Sequence, residues 1–413
     1  MEYLDNIVYE ENIVEYAFRG TSIEYNSYSS RIYGVRVVDK GCIGIASSTS
    51  VHDFRQLEEL AKKNTGVCIE RVKWFNRDYS SGKYRVGRDV DLNILVNELV
   101  PGMVKSFRSH GLKAEIILVK KRIKKEIAVK THNIYNVEER ILYELYIYPY
   151  TLYLGRLLST GSLVASPDPR NMYSLGSSES EKLLSILASQ AHARRLNPVY
   201  TGRWHVILDD EAAPMFYHEL AHLLQADEPI KLHYNTVLYQ GLTVIEDPFY
   251  PGPLQRFFDD ELYPAWRRTI IDKGVVVDYL HTRTTCMEKQ GGRPGNARGL
   301  FTRSKPLYHQ LVVKKGDWSL NEMLVESRRS ILVRKLVEAS LQGRYIRLVP
   351  EEAWVAEKDK LTPVHVTEIL VPLDKLGEVI TGLAKKVNKR YGFERNHSLF
   401  EVAPTTLIEA RVI

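Results

Sequence analysis

Residues 204–229 read WHVILDDEAAPMFYHELAHLLQADEP, and two patterns meet inside them. Trp204 to Leu208 is a short apolar run of the kind that forms a buried strand. Asp209 and Asp210 follow as turn or N-cap residues, and Pro214 fits only the first turn of a helix. Phe216, Leu220, Leu223 and Leu224 then mark an apolar stripe, while His218, His222 and Gln225 fall on a more polar face. The spacing predicts a helix that stops around Ala226 to Pro229.

Within that helix stands His218-Glu219-Leu220-Ala221-His222. Positions i and i+4 share a helical face, so the two imidazoles can hold one metal ion. Zinc with three protein ligands keeps an open position and brings the pKa of its water to about 7. Glu219 is placed to take that water's proton and to return it to a leaving amine. The expectation is a Zn2+ site with ligands His218 and His222, base Glu219, and hydrolysis of peptide bonds. The bland alternative is a pair of histidines satisfied inside a core.

The rest of the composition bounds the reading. With 413 residues, the chain is long enough for two domains, and 44% hydrophobic with 26% charged residues is ordinary for a globular protein. A net charge of +6, spread along the chain, does not point to nucleic acid. No apolar run reaches the length of a membrane span, and the acidic start Met1-Glu2-Tyr3-Leu4-Asp5 is not a signal peptide, so a cytoplasmic protein is expected. Cys42, Cys68 and Cys286 form no CxxC cage or disulfide framework and are expected to be reduced thiols.

The organisation predicted is α+β, with a mixed N-terminal domain over residues 1–197 and a mainly β domain over 198–413 that carries the HExxH helix. Residues 16–25 and 32–47 alternate as strands, with Asp39-Lys40-Gly41 as a turn. Residues 51–64, 91–111 and 177–195 have helical spacing. Residues 113–119 and 126–130 read as a hairpin around the basic tip 120–125, a solvated tip rather than a nucleic-acid patch because no aromatics interleave it. Ser319-Leu320-Asn321-Glu322 is a capping box, residues 375–390 read as a late helix, and 399–412 as closing strands. Gly291 to Asn296 reads as a flexible rim loop. Lone histidines such as His52 are read as surface or hydrogen-bonded residues.

Several stretches together resemble the TldD/PmbA family of metallopeptidases. They include Tyr33-Gly34-Val35-Arg36-Val37-Val38 with Gly44-Ile45-Ala46-Ser47-Ser48, Leu242 to Asp247, and Phe258-Asp259-Asp260-Glu261. Tyr279 to Thr285, Arg293 to Arg298 and Lys315 to Glu322 continue the series in order. The resemblance implies a dimer, homomeric or formed with another TldD/PmbA-type subunit, and a shared chamber in which small or unfolded peptides bind as an added strand. From the spread of charge and the lack of a long apolar run, no nucleic-acid or membrane partner is expected.

This chain departs from the family pattern in two ways. The family has one residue more between its histidines, whereas His218 and His222 have the spacing an undistorted helix uses. The family also carries a C-terminal Cys as third ligand, and no Cys follows Cys286 here. By register the lost Cys falls near Tyr391, beside Gly392. His397, Tyr391, Cys286 or a carboxylate such as Glu246 are the candidates for that place, or the chain supplies no third ligand. Arg283 is a candidate to bind a carboxylate or line the cleft. The missing Cys leaves an alternative open, a non-catalytic subunit that shapes a partner's chamber.

Overall fold

The computed structural model describes residues 1–50, 53–68, 70–288, 292–357 and 360–413; His52 and Gly291 lie outside these. The chain is α+β, as expected, and is organised by two large sheets. The first is built from β1 (Tyr3–Arg19), β2 (Ser22–Asp39), β3 (Cys42–Ser48), β4 (Gly82–Val86), β5 (Lys113–Val129), β6 (Ile134–Tyr153), β7 (Arg156–Ser159) and β8 (Ser162–Ser166). Its order is β3-β2-β1-β5-β6-β4, with β7 and β8 also on β6. Three helices accompany it: α1 (Phe54–Thr65), α2 (Leu92–Ser109) and α3 (Asn171–His192).

One face of this sheet is apolar and covered by helices. Ile116 and Leu118 of β5 and Leu145 and Ile147 of β6 pack with Leu95, Leu99, Met103 and Phe107 of α2 and Leu183 of α3. Asp91 starts α2 by accepting a hydrogen bond from the Asn93 amide, which satisfies one of the orphan donors of a helix N-terminus.

The other face carries charge, and the basic residues of β5 divide between the two faces. The basic run 120–125 is not a tip, because β5 is one continuous strand that pairs with β1 and β6. Alternation sends its cations to carboxylates that are distant in sequence: Lys120 to Asp89 at 2.6 Å, Lys121 to Glu144 at 2.8 Å, and Lys125 to Asp260 at 3.1 Å. Arg122 also meets Asp89, and Lys124 meets Glu126 at 2.5 Å. The run of like charge looks solvated in sequence because most of its partners, Asp89, Glu144 and Asp260, lie far from it along the chain.

The second sheet follows. Its strands are β9 (Arg194–Arg195), β10 (Gly202–Leu208), β11 (Val244–Glu246), β12 (Arg268–Asp272), β13 (Val275–Val276), β16 (Gln310–Val313), β17 (Arg329–Gln342), β18 (Tyr345–Glu357), β19 (Lys360–His365), β20 (Ile369–Pro372), β21 (Ile380–Glu394) and β22 (His397–Val412). A separate ribbon joins β14 (Ala297–Arg298) to β15 (Lys305–Pro306). The helices of this half are α4 (Ala212–His222), α5 (Thr285–Glu288), α6 (Leu320–Glu326) and α7 (Leu376–Val379). β22 pairs with β10, β16, β20 and β21 and is the strand around which the sheet is arranged. The capping box at Ser319 and Glu322 forms with both of its hydrogen bonds. The expected helix over 375–390 does not: only α7 is helical and β21 takes the rest. An irregular register between Leu383 and Val387 resets the alternation, so the strand period of two is broken in the sequence.

The charged face of the first sheet docks on the second half. Arg36, ion-paired with Asp5 at 2.7 Å, also donates to the Asp260 carbonyl at 2.8 Å. Arg140 donates to the Pro253 carbonyl at 3.3 Å. Gly34 is required by this contact, since a Cβ there would lie 2.6 Å from Cδ1 of Phe301. Arg283 neither binds a carboxylate with its guanidinium nor lines a cleft; it donates to the carbonyls of Phe75, Arg77 and Asp78. The described part of the glycine loop is held rather than loose, because Arg256 donates to the Gly295 carbonyl at 2.7 Å and Trp266 to that of Pro294 at 2.8 Å.

Cys42 and Cys68 are joined in a disulfide, with their Cα atoms 5.7 Å apart, which corrects the expectation of three reduced thiols. The segment after α1 returns to the β2–β3 turn, where the Val72 amide donates to the Gly41 carbonyl at 2.7 Å. That approach across 26 residues has no local signature. Cys286 is a buried thiol.

The Lys125–Asp260 pair gives a pH-dependent test. Burial alone would raise the Asp260 carboxyl, but Lys125, Arg298 and the Gly299 amide hold it well below the usual carboxylate range. A depressed folded value contributes stability above the unfolded pKa near ~3.9, lost as pH falls through the folded value. Asp260→Asn is expected to cost about 3 kcal/mol at pH 7, the effect of breaking a buried pair. Urea unfolding at pH 7, 5 and 3 should show the gap to wild type closing towards the acid end; a gap independent of pH would overturn the ion-pair account.

Candidate metal site

The site begins where β10 hands the chain to α4. Val206 and Leu208 are fully buried, and Asp209 accepts hydrogen bonds from Asn388, Thr405 and Lys386. Those bonds take Asp209 away from capping. The N-cap is Glu211, without a side-chain bond, and Asp210 has a left-handed backbone at φ 42°. Pro214 sits in the first turn as predicted. The helix stops at His222, earlier than expected, because the next residues pair elsewhere: the Ala226 amide donates to the Leu280 carbonyl and the Leu280 amide to that of Leu224. Phe216, Leu220, Leu223 and Leu224 are buried in the main core, so the apolar stripe anchors α4 as its spacing implied.

The polar face of α4 carries His218 and His222, whose ring centroids are 5.0 Å apart. Nε2 of His218 and Nε2 of His222 both turn towards Oε2 of Glu394, at 3.9 and 3.6 Å. Among the described residues, His218, His222 and Glu394 are the group of His, Cys, Asp or Glu side chains close enough to hold one metal ion. Oε2 of Glu394 is buried and has no hydrogen-bond partner. An ionised oxygen in that state is costly unless a cation meets it. Two imidazoles and a carboxylate are also a donor set used by catalytic zinc. The residues present therefore fit a divalent metal.

The outer side of the site fixes its orientation. His218 Nδ1 lies 2.6 Å from the Tyr308 hydroxyl and 3.1 Å from Glu401 Oε1, and that hydroxyl donates to the same Oε1 at 2.8 Å. With Nδ1 carrying the proton, the lone pair of Nε2 is left for the metal side. Arg390 Nη1 donates to both Glu401 oxygens at 3.3 Å. Burial would raise the Glu401 carboxyl, but Arg390 and His218 hold it below the usual value. Burial lowers His222, whose Nδ1 is 3.0 Å from the Gln225 amide nitrogen.

Glu219 is buried beside this cluster, its Oε1 3.9 Å from His218 Nε2. Burial first, then the nearby Glu394 charge, pushes its carboxyl up to about 7, against the attraction of His218. A general base is most effective with a pKa near working pH. Glu219 lines a cavity of about 230 Å3 together with His218, Arg390, Met215, Val337 and Phe393.

Glu394 was not among the residues singled out for the third place. Those that were are occupied otherwise. Tyr391 points to the other side of β21 and donates to Glu144 at 2.6 Å. Cys286 lies on α5, its thiol pushed up to about 12 by burial, with Sγ 3.5 Å from the Arg283 carbonyl. Glu246 is paired with Arg256 at 3.0 Å. His397 sits opposite Glu394 in the β21–β22 hairpin but does not join the cluster. The available signal was a carboxylate three residues beyond Tyr391, near which the family Cys falls.

Two sheets packed through a charged face, with an HExxH helix answered by a carboxylate from a C-terminal hairpin, describe a metallopeptidase-type architecture. Residues 201–409 match the family model of the PmbA/TldA metallopeptidase C-terminal domain, and the chain belongs to the TldD/PmbA family. A metalloprotease of Methanocaldococcus jannaschii is 32% identical over 200 residues, covering 43% of this chain and 43% of that one. A metalloprotease of Archaeoglobus fulgidus is 31% identical over 144 residues, covering 32% and 33%. The matched stretches thus span less than half of these relatives' lengths. Among solved structures, TldE from Thermococcus kodakarensis superposes with a TM-score of 0.79 at 16% identity, covering 99% of this chain and 96% of that one. A candidate modulator of a DNA gyrase from Thermotoga maritima gives the same TM-score at 17% identity, over 99% and 95%. These likenesses show the fold.

Metal analysis by mass spectrometry checks the donor set. Wild type is expected to hold one divalent ion per chain, His222→Ala to lose it, and Glu394→Gln to bind it at least tenfold more weakly. His397→Ala should bind as wild type does; loss of metal there with retention in Glu394→Gln would reverse the assignment.

Proposed function

We propose that this chain is a zinc-dependent metallopeptidase acting on small or unfolded peptides, with His218 and His222 as ligands, Glu394 as the third, and Glu219 as the base. The observation that carries this reading is the partnerless Glu394 oxygen facing both Nε2 atoms, with Glu219 beside them. Bound there, zinc supplies Lewis acidity towards the scissile carbonyl and a water acidic enough to give up a proton near neutrality. Glu219 takes that proton and later passes it to the departing amine. Tyr308 and Glu401 hold the His218 ring in its tautomer.

The substrate class follows from the surrounding space. A cleft of about 760 Å3 lies between the two halves, lined by β8 residues such as Ser162 and Ala165 and by Lys386 to Tyr391 of β21. β8 pairs along one side with β6 and β21 along one side with β22, so each offers backbone donors and acceptors to an extended peptide. A folded protein does not present its backbone in that form. The division at residue 197 is proposed as the boundary between a domain that roofs the cleft and one that carries the chemistry. A second TldD/PmbA-type subunit is the proposed partner, and a cytoplasmic location is proposed with it. Among the described residues no helix is long and apolar enough to cross a membrane.

Glu219→Gln tests the base. The variant is expected to keep its metal and lose about 10²–10⁴ in kcat on an unstructured peptide, the usual contribution of a positioned general base. Full turnover in that variant would exclude Glu219 from the chemistry.

A further inference from the structure

Alternate residues of a strand share a face, so β21 presents Arg390, Gly392 and Glu394 together. Their pairing with β22 is regular there, Arg390 opposite Glu401 and Glu394 opposite His397. Glu394 turns to the histidines, while Arg390 lies against Glu401 through Nη1. Gly392 makes this possible, because a Cβ at that position would stand 3.0 Å from Arg390 Nη2. The side chain is folded back over the glycine rather than extended into solvent, with 18% of it exposed.

Arg390 is also the residue where the two spaces meet. It lines the small cavity with Glu219 and His218, and it lines the large cleft with Tyr391 and Phe400. Among the described residues its hydrogen bonds all use Nη1, and Nε and Nη2 are not sealed away from the surface. Those donors are therefore directed to space that a ligand can enter. Among the residues lining the small cavity, it supplies the one guanidinium. A peptide running from the cleft to Glu219 passes this group.

We propose that Arg390 is a catalytic residue of the hydrolysis proposed above, its Nε and Nη2 hydrogens receiving the scissile carbonyl oxygen as it becomes an oxyanion. The inference rests on that hydrolase reading. As the water oxygen bonds to the carbonyl carbon, the π pair moves to oxygen and the water's proton goes to Glu219. As the pair returns, the C–N bond breaks and the same proton leaves with the amine, giving one acid and one amine per water consumed. Arg390 stays protonated throughout and acts by charge and hydrogen bonds, which strengthen as the oxygen gains charge. Its fork can hold Glu401 on one edge and the substrate oxygen on another.

The competing role is positional: Arg390 would only hold Glu401, and through it His218. Arg390→Met and Arg390→Lys, made in the full metal-loaded chain, separate the two. The readouts are metal content, kcat and KM on a quenched-fluorescent unstructured peptide, and affinity for the phosphinic analogue of that peptide, whose tetrahedral oxygens mimic the oxyanion. Arg390→Met is expected to keep one metal per chain and its KM within about threefold, while kcat and phosphinate affinity each fall about 10²–10³, as for loss of one oxyanion donor. Arg390→Lys should recover part of both. Unchanged phosphinate affinity overturns the proposal, as does a loss of activity that tracks metal loss and is reversed by excess zinc. If Arg390→Met does not fold, Arg390→Lys decides by the same two quantities. A wild type that holds metal and cleaves no peptide removes the hydrolase reading itself, and this role with it.

Discussion

Glu401 is the group on which the arrangement of the site depends. It is fully buried on β22 and is met there by His218, the Tyr308 hydroxyl and Arg390. A carboxylate at that depth is stable only while its donors are in place. It therefore ties a helix, a loop residue and a hairpin strand to one point. β22 in turn is paired to four strands, so its position is set by the whole second sheet rather than by the site. The candidate metal ligands are consequently held from both sides, by α4 through the apolar core and by β21 through its pairing with β22.

A second constraint joins the halves. The charged face of the first sheet packs on loops of the second with cations turned to carboxylates and carbonyls, as at Lys125 with Asp260 and Arg140 with Pro253. Apolar contacts stand beside them, where Leu142 and Ala165 meet Leu254, Tyr391 and Phe400. Arginine suits such positions because its fork satisfies several acceptors at once while its charge is held. Arg283, whose guanidinium meets four carbonyls, those of Phe75, Arg77, Asp78 and Glu261, and no carboxylate, is the plainest example. Several basic residues of this chain, Arg36, Lys125, Arg140 and Arg283 among them, are thus internal fasteners.

How much was legible follows from the range of each interaction. The hairpin turn at Asp39 to Gly41, the helices α1, α2 and α3, the capping box at Ser319 and the apolar stripe of α4 all rest on contacts within a few residues, and all were read correctly. The readings that failed mostly involve partners far along the chain. The strand at 120–125 needs β1 and β6, and Cys42 needs Cys68; β21, although it pairs with the adjacent β22, was concealed instead by its irregular register.

The sequence by itself determined the α+β class, the family, and the pair His218 and His222 with Glu219 between them, because helical geometry converts a spacing of four into a shared face. Only the tertiary structure decided which residue answers them. Glu394 lies 172 positions beyond His222 by number, just past the helix expected over 375–390, and it arrives through hydrogen-bonded pairing with β22. Arg390 came the same way, opposite Glu401, and Tyr308 reaches that carboxylate from a loop. A metal site is a convergence of donors in space, and a sequence records only the part of that convergence that one helix supplies.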